Sequence, residues 1–356
     1  MTTEALLDAL RGPDTDHARE ALDSVIAGAD PALYAALLKG CTLSEGKLIR
    51  ARGAPLAGGG KRKSPCIYAA LALLSTLPAD APVDGSLRPA SLTLLDLGEC
   101  GLTAVPPELG LLTSLATLRL WNNKLTDLPD ALSGLAGLRT LSLSGNRFAA
   151  LPACVCAIGG LEVLGAGSNR LKSLPAGIGA LTRLTRLDAT DNRLTALPDA
   201  IGDLAALTEL TLTANDIDAL PPAAAWLKSL EVLTLSNTQF RTLPDCVKGM
   251  SALTRLSLSG CYLSELPDWV DALGRLEWLD LAHNRLTALP EALGRAPALA
   301  ALNLRGNKQL GDLPESFYES PSLRRLGLAS TRLPEADWPA IAEMMARPDV
   351  VIADQV

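Results

Sequence analysis

Residues 115–137 read L-A-T-L-R-L-W-N-N-K-L-T-D-L-P-D-A-L-S-G-L-A-G. The same frame restarts at Leu138, Leu161, Leu184, Leu207, Leu230, Leu253 and Leu276, each 23 residues after the last. One copy precedes it at Leu92. Leu299 opens a copy with one extra residue, so a partial eleventh begins at Leu323. A fixed period of this length marks a solenoid, in which each repeat is one structural unit stacked on the next.

The pattern within a copy has a physical reading. Leu118 and Leu120 point one way from a short strand and Arg119 the other, because strand side chains alternate. The ninth residue is Asn in seven copies: Asn123, Asn146, Asn169, Asn192, Asn215, Asn284 and Asn307. A buried amide there can bond backbone groups that the turn leaves unpaired. Cys100, Thr238, Cys261 and Thr331 stand in for it, all small and able to make weaker bonds. A Leu-Pro step then ends regular structure, since proline has no N–H. It recurs from Leu128-Pro129 to Leu313-Pro314, with Val105-Pro106 before it; Pro334 comes too early for its copy, so the regular coil ends there. No copy can bury its own leucines. Stacking gives one leucine core and one parallel sheet along the inner face, with an arc on the order of 50 Å at the usual strand spacing.

The frame L-x-x-L-x-L-x-x-N-x-L-x-x-L-P-x-x-(I/L/V)-x-x-L resembles the leucine-rich repeat. Its L-P pair and length resemble the intracellular class found in Ras-suppressor-like proteins, plant Ras-group-related proteins and many bacterial effectors. The resemblance implies an α/β horseshoe with one parallel β-sheet on the concave face. It further implies a non-enzymatic module that binds a protein partner there. The organisation expected is a helical N-terminal region and cap (1–90), the repeats (91–333) and a C-terminal cap (334–356).

Composition agrees. Hydrophobic residues make up 48% of the chain and aromatics only 3%, so the core must be aliphatic. The net charge is −7, and residues 1–90 hold ten basic and ten acidic groups, which puts the whole excess in the repeats. An acidic solenoid disfavours nucleic acid, whose phosphates need a basic face. No apolar run nears the length of a membrane span, and Met1-Thr-Thr-Glu-Ala has no secretory pattern. Extracellular members of the family bracket their repeats with cysteine-rich caps. Here the seven cysteines form none, which points to the cytoplasm. The alternative is an effector delivered into a host cell; Ala, Arg and Leu usage suggests a GC-rich bacterial source. A monomer is expected.

Residues 1–90 read as helices at 3–10, 17–27, 30–39 and 65–77, the last placed over the open edge of the first repeat. Between the last two lies Gly53-Ala-Pro-Leu-Ala-Gly-Gly-Gly-Lys-Arg-Lys-Ser64. It imitates a phosphate loop, but Arg62 follows Lys61 where Ser or Thr is needed, and Pro55 stands at the first glycine position. An enzyme or nucleotide site in residues 40–65 is therefore the least favoured reading. Lys47, Arg50, Arg52, Lys61, Arg62 and Lys63 read either as a solvated loop or as a docking patch for an acidic partner or membrane surface. In the tail, a helix over 338–346 and a strand over 350–353 are expected.

Within each copy the third, fifth, seventh, eighth and tenth residues face the concave side or its rim, and these carry the binding candidates. Arg119 with Trp121 forms one group. Arg255, Tyr262, Trp278, Asp280 and His283 form another, and Arg186, Asp188, Glu209 and Arg305 stand on the same rows. Trp, Tyr and Arg are the residue types that anchor interfaces. The partner is expected to span the fifth to ninth copies with Trp278 and Arg255 as its hot spot. Basic residues at the tenth position (Lys124, Arg147, Arg170, Arg193, Arg285, Lys308) read as solvated consensus. Trp226 and Trp269 are expected on the convex side, packed between copies. No nucleophile pairs with His283 at a recognisable spacing, so no catalytic residue is assigned. Cys154-Val-Cys156 lacks a second ligand pair, so no metal or cofactor is expected.

Overall fold

A computed structural model of the chain describes residues 41–44, 47–50, 92–320, 322–333, 339, 341 and 351–353. The chain forms two compact units, Met1–Arg170 and Leu171–Val356.

In the first unit, β1 (Cys41–Ser44) and β2 (Lys47–Arg50) form an antiparallel hairpin. Strand β2 pairs parallel with β3 (Leu94–Asp96), and β4 (Thr117–Arg119), β5 (Thr140–Ser142) and β6 (Val163–Gly165) follow in parallel register. The hairpin was not expected. Its available signal in the sequence is the Glu45-Gly46 pair, a glycine-containing dipeptide between two short runs. The four helices expected in residues 1–90 lie outside the described residues; the neighbour that the structure gives β3 is β2.

In the second unit, β7 (Arg186–Asp188), β8 (Glu209–Thr211), β9 (Val232–Thr234), β10 (Arg255–Ser257), β11 (Trp278–Asp280), β12 (Ala301–Asn303) and β13 (Arg325–Gly327) run parallel and in order. The tail strand is present as β14 (Val351–Ala353), parallel to β13. Pairing steps by whole copies: Leu187 opposes Leu210, Leu210 opposes Leu233, and Leu233 opposes Leu256. All four are at most 1% exposed. This is the ladder that the period demands, since a slip of one residue would turn each Leu out of the core.

Each repeat strand, from β3 to β13, is three residues long because the chain must turn at once. The eighth residue of every copy has a positive φ: Glu99, Asn122, Ser168, Asp191, Ala214, Asn237, His283 and Ser330, and the glycines 145, 260 and 306. Most of these are Gly, Asn, Asp or Ser, the types that tolerate the left-handed region. The ninth residue then turns inward. Asn215 donates from Nδ2 to the carbonyls of Leu212 at 2.8 Å and of Ala189, one copy back, at 2.9 Å; its Oδ1 accepts from the Leu194 N–H at 3.0 Å. Asn123, Asn146, Asn284 and Asn307 repeat this arrangement. The substitutes bond less. The Cys261 thiol donates to the Leu235 carbonyl at 3.2 Å and lies 3.3 Å from the Thr238 hydroxyl.

Proline opens the opposite side of each copy. Pro129 sits at φ −67°, ψ 143°, and its carbonyl accepts from the Leu132 N–H at 3.0 Å, starting the 3-10 turn Asp130–Gly134. Two copies instead form short α-helices, α1 (Ala153–Cys156) and α2 (Glu291–Gly294). These turns stack so closely that a Cβ on Gly202 would lie 2.4 Å from the Ala223 carbonyl oxygen. Between strands and turns lies the core. It is aliphatic apart from Phe148, Phe240 and Phe317, all three of the chain's phenylalanines and all buried. Each such leucine stabilises the stack by about 2 kcal/mol relative to an exposed one.

Candidate functional site

The strand face of the second unit is built from the third, fifth and seventh residues of each copy. Alternation drives the fourth and sixth residues inward, so these three are left outside. Along the third position, successive strands present Arg186, Glu209, Val232, Arg255, Trp278, Ala301 and Arg325. Arg186, Arg255 and Arg325 are exposed; Glu209, Val232, Trp278 and Ala301 are half-buried.

The predicted candidates fall into three sets. The first is internally paired. Arg186 meets Glu209 at 2.8 Å, and in the first unit Arg119 meets Asp96 at 3.3 Å. Exposed pairs like these are worth at most about 1 kcal/mol, but each arginine already has an acceptor. Trp121 lies over the backbone of Gly98, close enough that a Cβ there would be 2.2 Å from the indole. It covers its neighbour rather than standing free.

The second set serves the strand ends. Asp188 Oδ1 accepts from the Thr190 N–H at 2.9 Å, and Asp280 Oδ1 from the Ala282 N–H at 3.1 Å. Asp280 Oδ2 accepts from the Ser257 hydroxyl at 3.3 Å, and that hydroxyl is 2.6 Å from Ser236 Oγ. A carboxylate two residues before a free N–H makes an Asx turn, which sequence reading of Asp188 and Asp280 as contact residues overlooked. Asp280 is thus engaged by Ser257 and Ala282, while the His283 imidazole lies against Gly306.

The third set faces outward. Arg255 pairs strand-to-strand with Trp278, the arrangement expected. Trp278 is half-buried, not fully solvent-facing as expected, so part of its ring already rests on its neighbours. Arg305, half-buried on the seventh position, keeps a buried Nε without a hydrogen-bond partner among the described residues. Tyr262 lies on the tenth position, beyond the end of its strand Arg255–Ser257. Its ring lies 4.6 Å beneath the Arg285 guanidinium, a cation–π contact between two tenth-position residues that gives Arg285 a packing role.

Trp226 corrects the reading of the other side. It is 64% exposed on its 3-10 turn, so it does not pack between copies. Trp269 does, with its indole N–H donating to Asp245 Oδ1 at 3.0 Å. Asp245 offers a carboxylate to Trp269, whereas Trp226 ends an Ala-rich turn, Pro222–Trp226.

Cys100, Cys154, Cys156, Cys246 and Cys261 are free thiols. Burial pushes the Cys154 thiol up to about 11, with Asp130 and Asp127 adding to the shift, which suits a space-filling group. Among the described residues no three His, Cys, Asp or Glu side chains cluster as metal ligands. No helix among them is long and apolar enough to cross a membrane.

Residues 90–211 match the family described as a leucine-rich repeat region, and residues 207–263 and 274–333 match a second, described as leucine rich repeat. No curated protein sequence matches the chain. Among solved structures, a leucine-rich repeat protein of Leptospira interrogans is 33% identical at a TM-score of 0.62, over 74% of this chain and 72% of that one. An internalin from Listeria monocytogenes superposes at 0.63 over 97% of this chain and 96% of its own, with 21% identity, a likeness of fold alone. The ectodomain of the plant membrane receptor kinase GASSHO1/SCHENGEN3 from Arabidopsis thaliana was solved in complex with CASPARIAN STRIP INTEGRITY FACTOR 2. It is 28% identical at a TM-score of 0.53, over 69% of this chain and 34% of that one.

Proposed function

This chain belongs to the leucine-rich repeat family, and on that premise we propose a non-enzymatic module that binds a protein partner on the strand face of its second unit. The fold is commonly a protein–protein interaction module. The observation that carries the choice of face is the row Arg255–Trp278–Ala301–Arg325. It places an aromatic ring beside a small residue, between two exposed arginines, on four successive strands. Such a row offers an anchor, a recess and charges at once. The leucine ladder and asparagine bonds hold it rigid, so little entropy is lost on docking.

The test is a photo-crosslinking residue placed at Thr234 on the strand face or at Trp226 on the turn side. In cells of the native organism, position 234 should trap a partner protein and position 226 should not. Trapping from 226 alone would move the interface to the turn side.

A further inference from the structure

Charge on the strand face of the second unit is sorted. The copies beginning at Leu184, Leu207 and Leu230 place Asp188 and Glu209 there against Arg186, and Glu209 holds that arginine at 2.8 Å. The four copies from Leu253 onward place three arginines, Arg255, Arg305 and Arg325, against Asp280 alone. Asp280 is already occupied by Ser257 and Ala282. None of the three arginines has an ion-pair partner among the described residues, whereas Arg119 and Arg186 both have one. Arg305 also has its Nε buried without a hydrogen-bond partner among the described residues. A guanidinium without an ion-pair partner in its own fold still offers N–H donors to a carboxylate from outside.

This sorting runs against the composition. Residues 171–356 carry 17 basic and 23 acidic side chains, so a patch of unpaired arginine is the reverse of what the unit's average predicts. From these observations we propose that the strand face of the copies from Leu253 onward receives an acidic peptide segment of the partner. Its carboxylates meet Arg255, Arg325 and Arg305, and an apolar side chain lies on Trp278. The inference rests on the strand-face reading above and adds the chemistry of the partner. Arg255 and Arg325 stand three strand spacings apart, about 14 Å, which an extended chain spans in about four residues. Trp278 and Ala301 fill the interval between them. Two acidic residues about four apart, with an apolar residue between, fit that row. The patch is too short for a long polyanion: Asp188 and Glu209 continue the same face with the opposite sign, and nucleic acid running past the patch would meet them.

The experiment selects random displayed peptides on the full-length chain, then titrates the best one, synthesised with a fluorescein label, by anisotropy. The enriched sequences should carry the spaced acidic pair. Binding should weaken as salt rises, and should fall at least about tenfold in the double variant R255Q/R325Q. Both arginines are exposed, and unchanged melting of the variant would show that it folds. A labelled single-stranded oligonucleotide should bind more weakly than the peptide. Failure to enrich any sequence, enrichment without acidic residues, binding unmoved by R255Q/R325Q, or tighter binding of the oligonucleotide would each overturn the inference. If non-acidic peptides emerge and lose binding in Trp278→Ala, the strand-face reading stands and only the charge inference falls. If neither variant moves binding, both fall.

Discussion

Two layers of the second unit lie one residue apart along the same strands. The fourth position reads Leu187, Leu210, Leu233, Leu256, Leu279, Leu302 and Leu326, all at most 1% exposed. The third position, beside it, reads Arg186, Glu209, Val232, Arg255, Trp278, Ala301 and Arg325. The inner layer is uniform because every copy must present the same shape to the next one. The outer layer is under no such demand. Any order found there, such as the Arg186–Glu209 pair or the run of arginines after Leu253, has to be explained by what touches it and not by the stack.

The inner layer should break first and hardest. Leu210→Asp puts a carboxylate between Leu187 and Leu233 with no partner for its charge. We expect a loss of about 4 kcal/mol or more, read as collapse of the thermal transition by circular dichroism. A wild-type melt would mean that the register is wrong. Asn215→Ala should cost about 2 kcal/mol, because it strands the Leu194 N–H and the Ala189 and Leu212 carbonyls at once. A urea titration would measure it, and a change within error would show that these groups find water instead.

Cys261→Asn tests the same layer from the other direction. The thiol reaches the Leu235 carbonyl but lacks the amide's second function. Restoring the amide should stabilise the protein by about 1 kcal/mol if the neighbouring Thr238 adjusts. In the outer layer, Glu209→Gln should cost no more than about 0.5 kcal/mol, shrinking further with added salt, because Arg186 and Glu209 are 59% and 34% exposed. A larger loss would mean that the pair shapes the strand rather than decorating it.

How much could be read from the sequence follows the same division. The strands, the leucine ladder and the asparagine row follow from a period repeated often enough to expose its rules, and the tail strand from its own run, Val350-Val-Ile-Ala353. The left-handed eighth position is equally readable in Asn122, Gly145, Asp191 and Gly260, where the sequence pattern alone marks only a place on the binding face or its rim. The hairpin β1–β2 lies outside the repeat, and there a single Glu45-Gly46 pair had to speak alone. The candidate site was legible as residue types on known rows. What each side chain does depends on its neighbour in the adjacent copy, 23 residues away. Hence Arg119 and Arg186 proved paired, Asp188 and Asp280 proved to be turn acceptors, and Trp226 proved exposed on a turn of small residues where packing had been expected.

The measurement that reaches furthest is a comparison of Trp278→Ala with Trp226→Ala, each assayed for affinity to the crosslinked partner and for melting. Trp278→Ala should weaken binding by about 2 kcal/mol or more and lower stability by only about 1 kcal/mol, since part of its ring is already covered. Trp226→Ala should leave both nearly unchanged, because a residue 64% exposed has little packing to lose. If Trp278→Ala binds as tightly as the wild type while Trp226→Ala loses the partner, the strand face is not the binding surface.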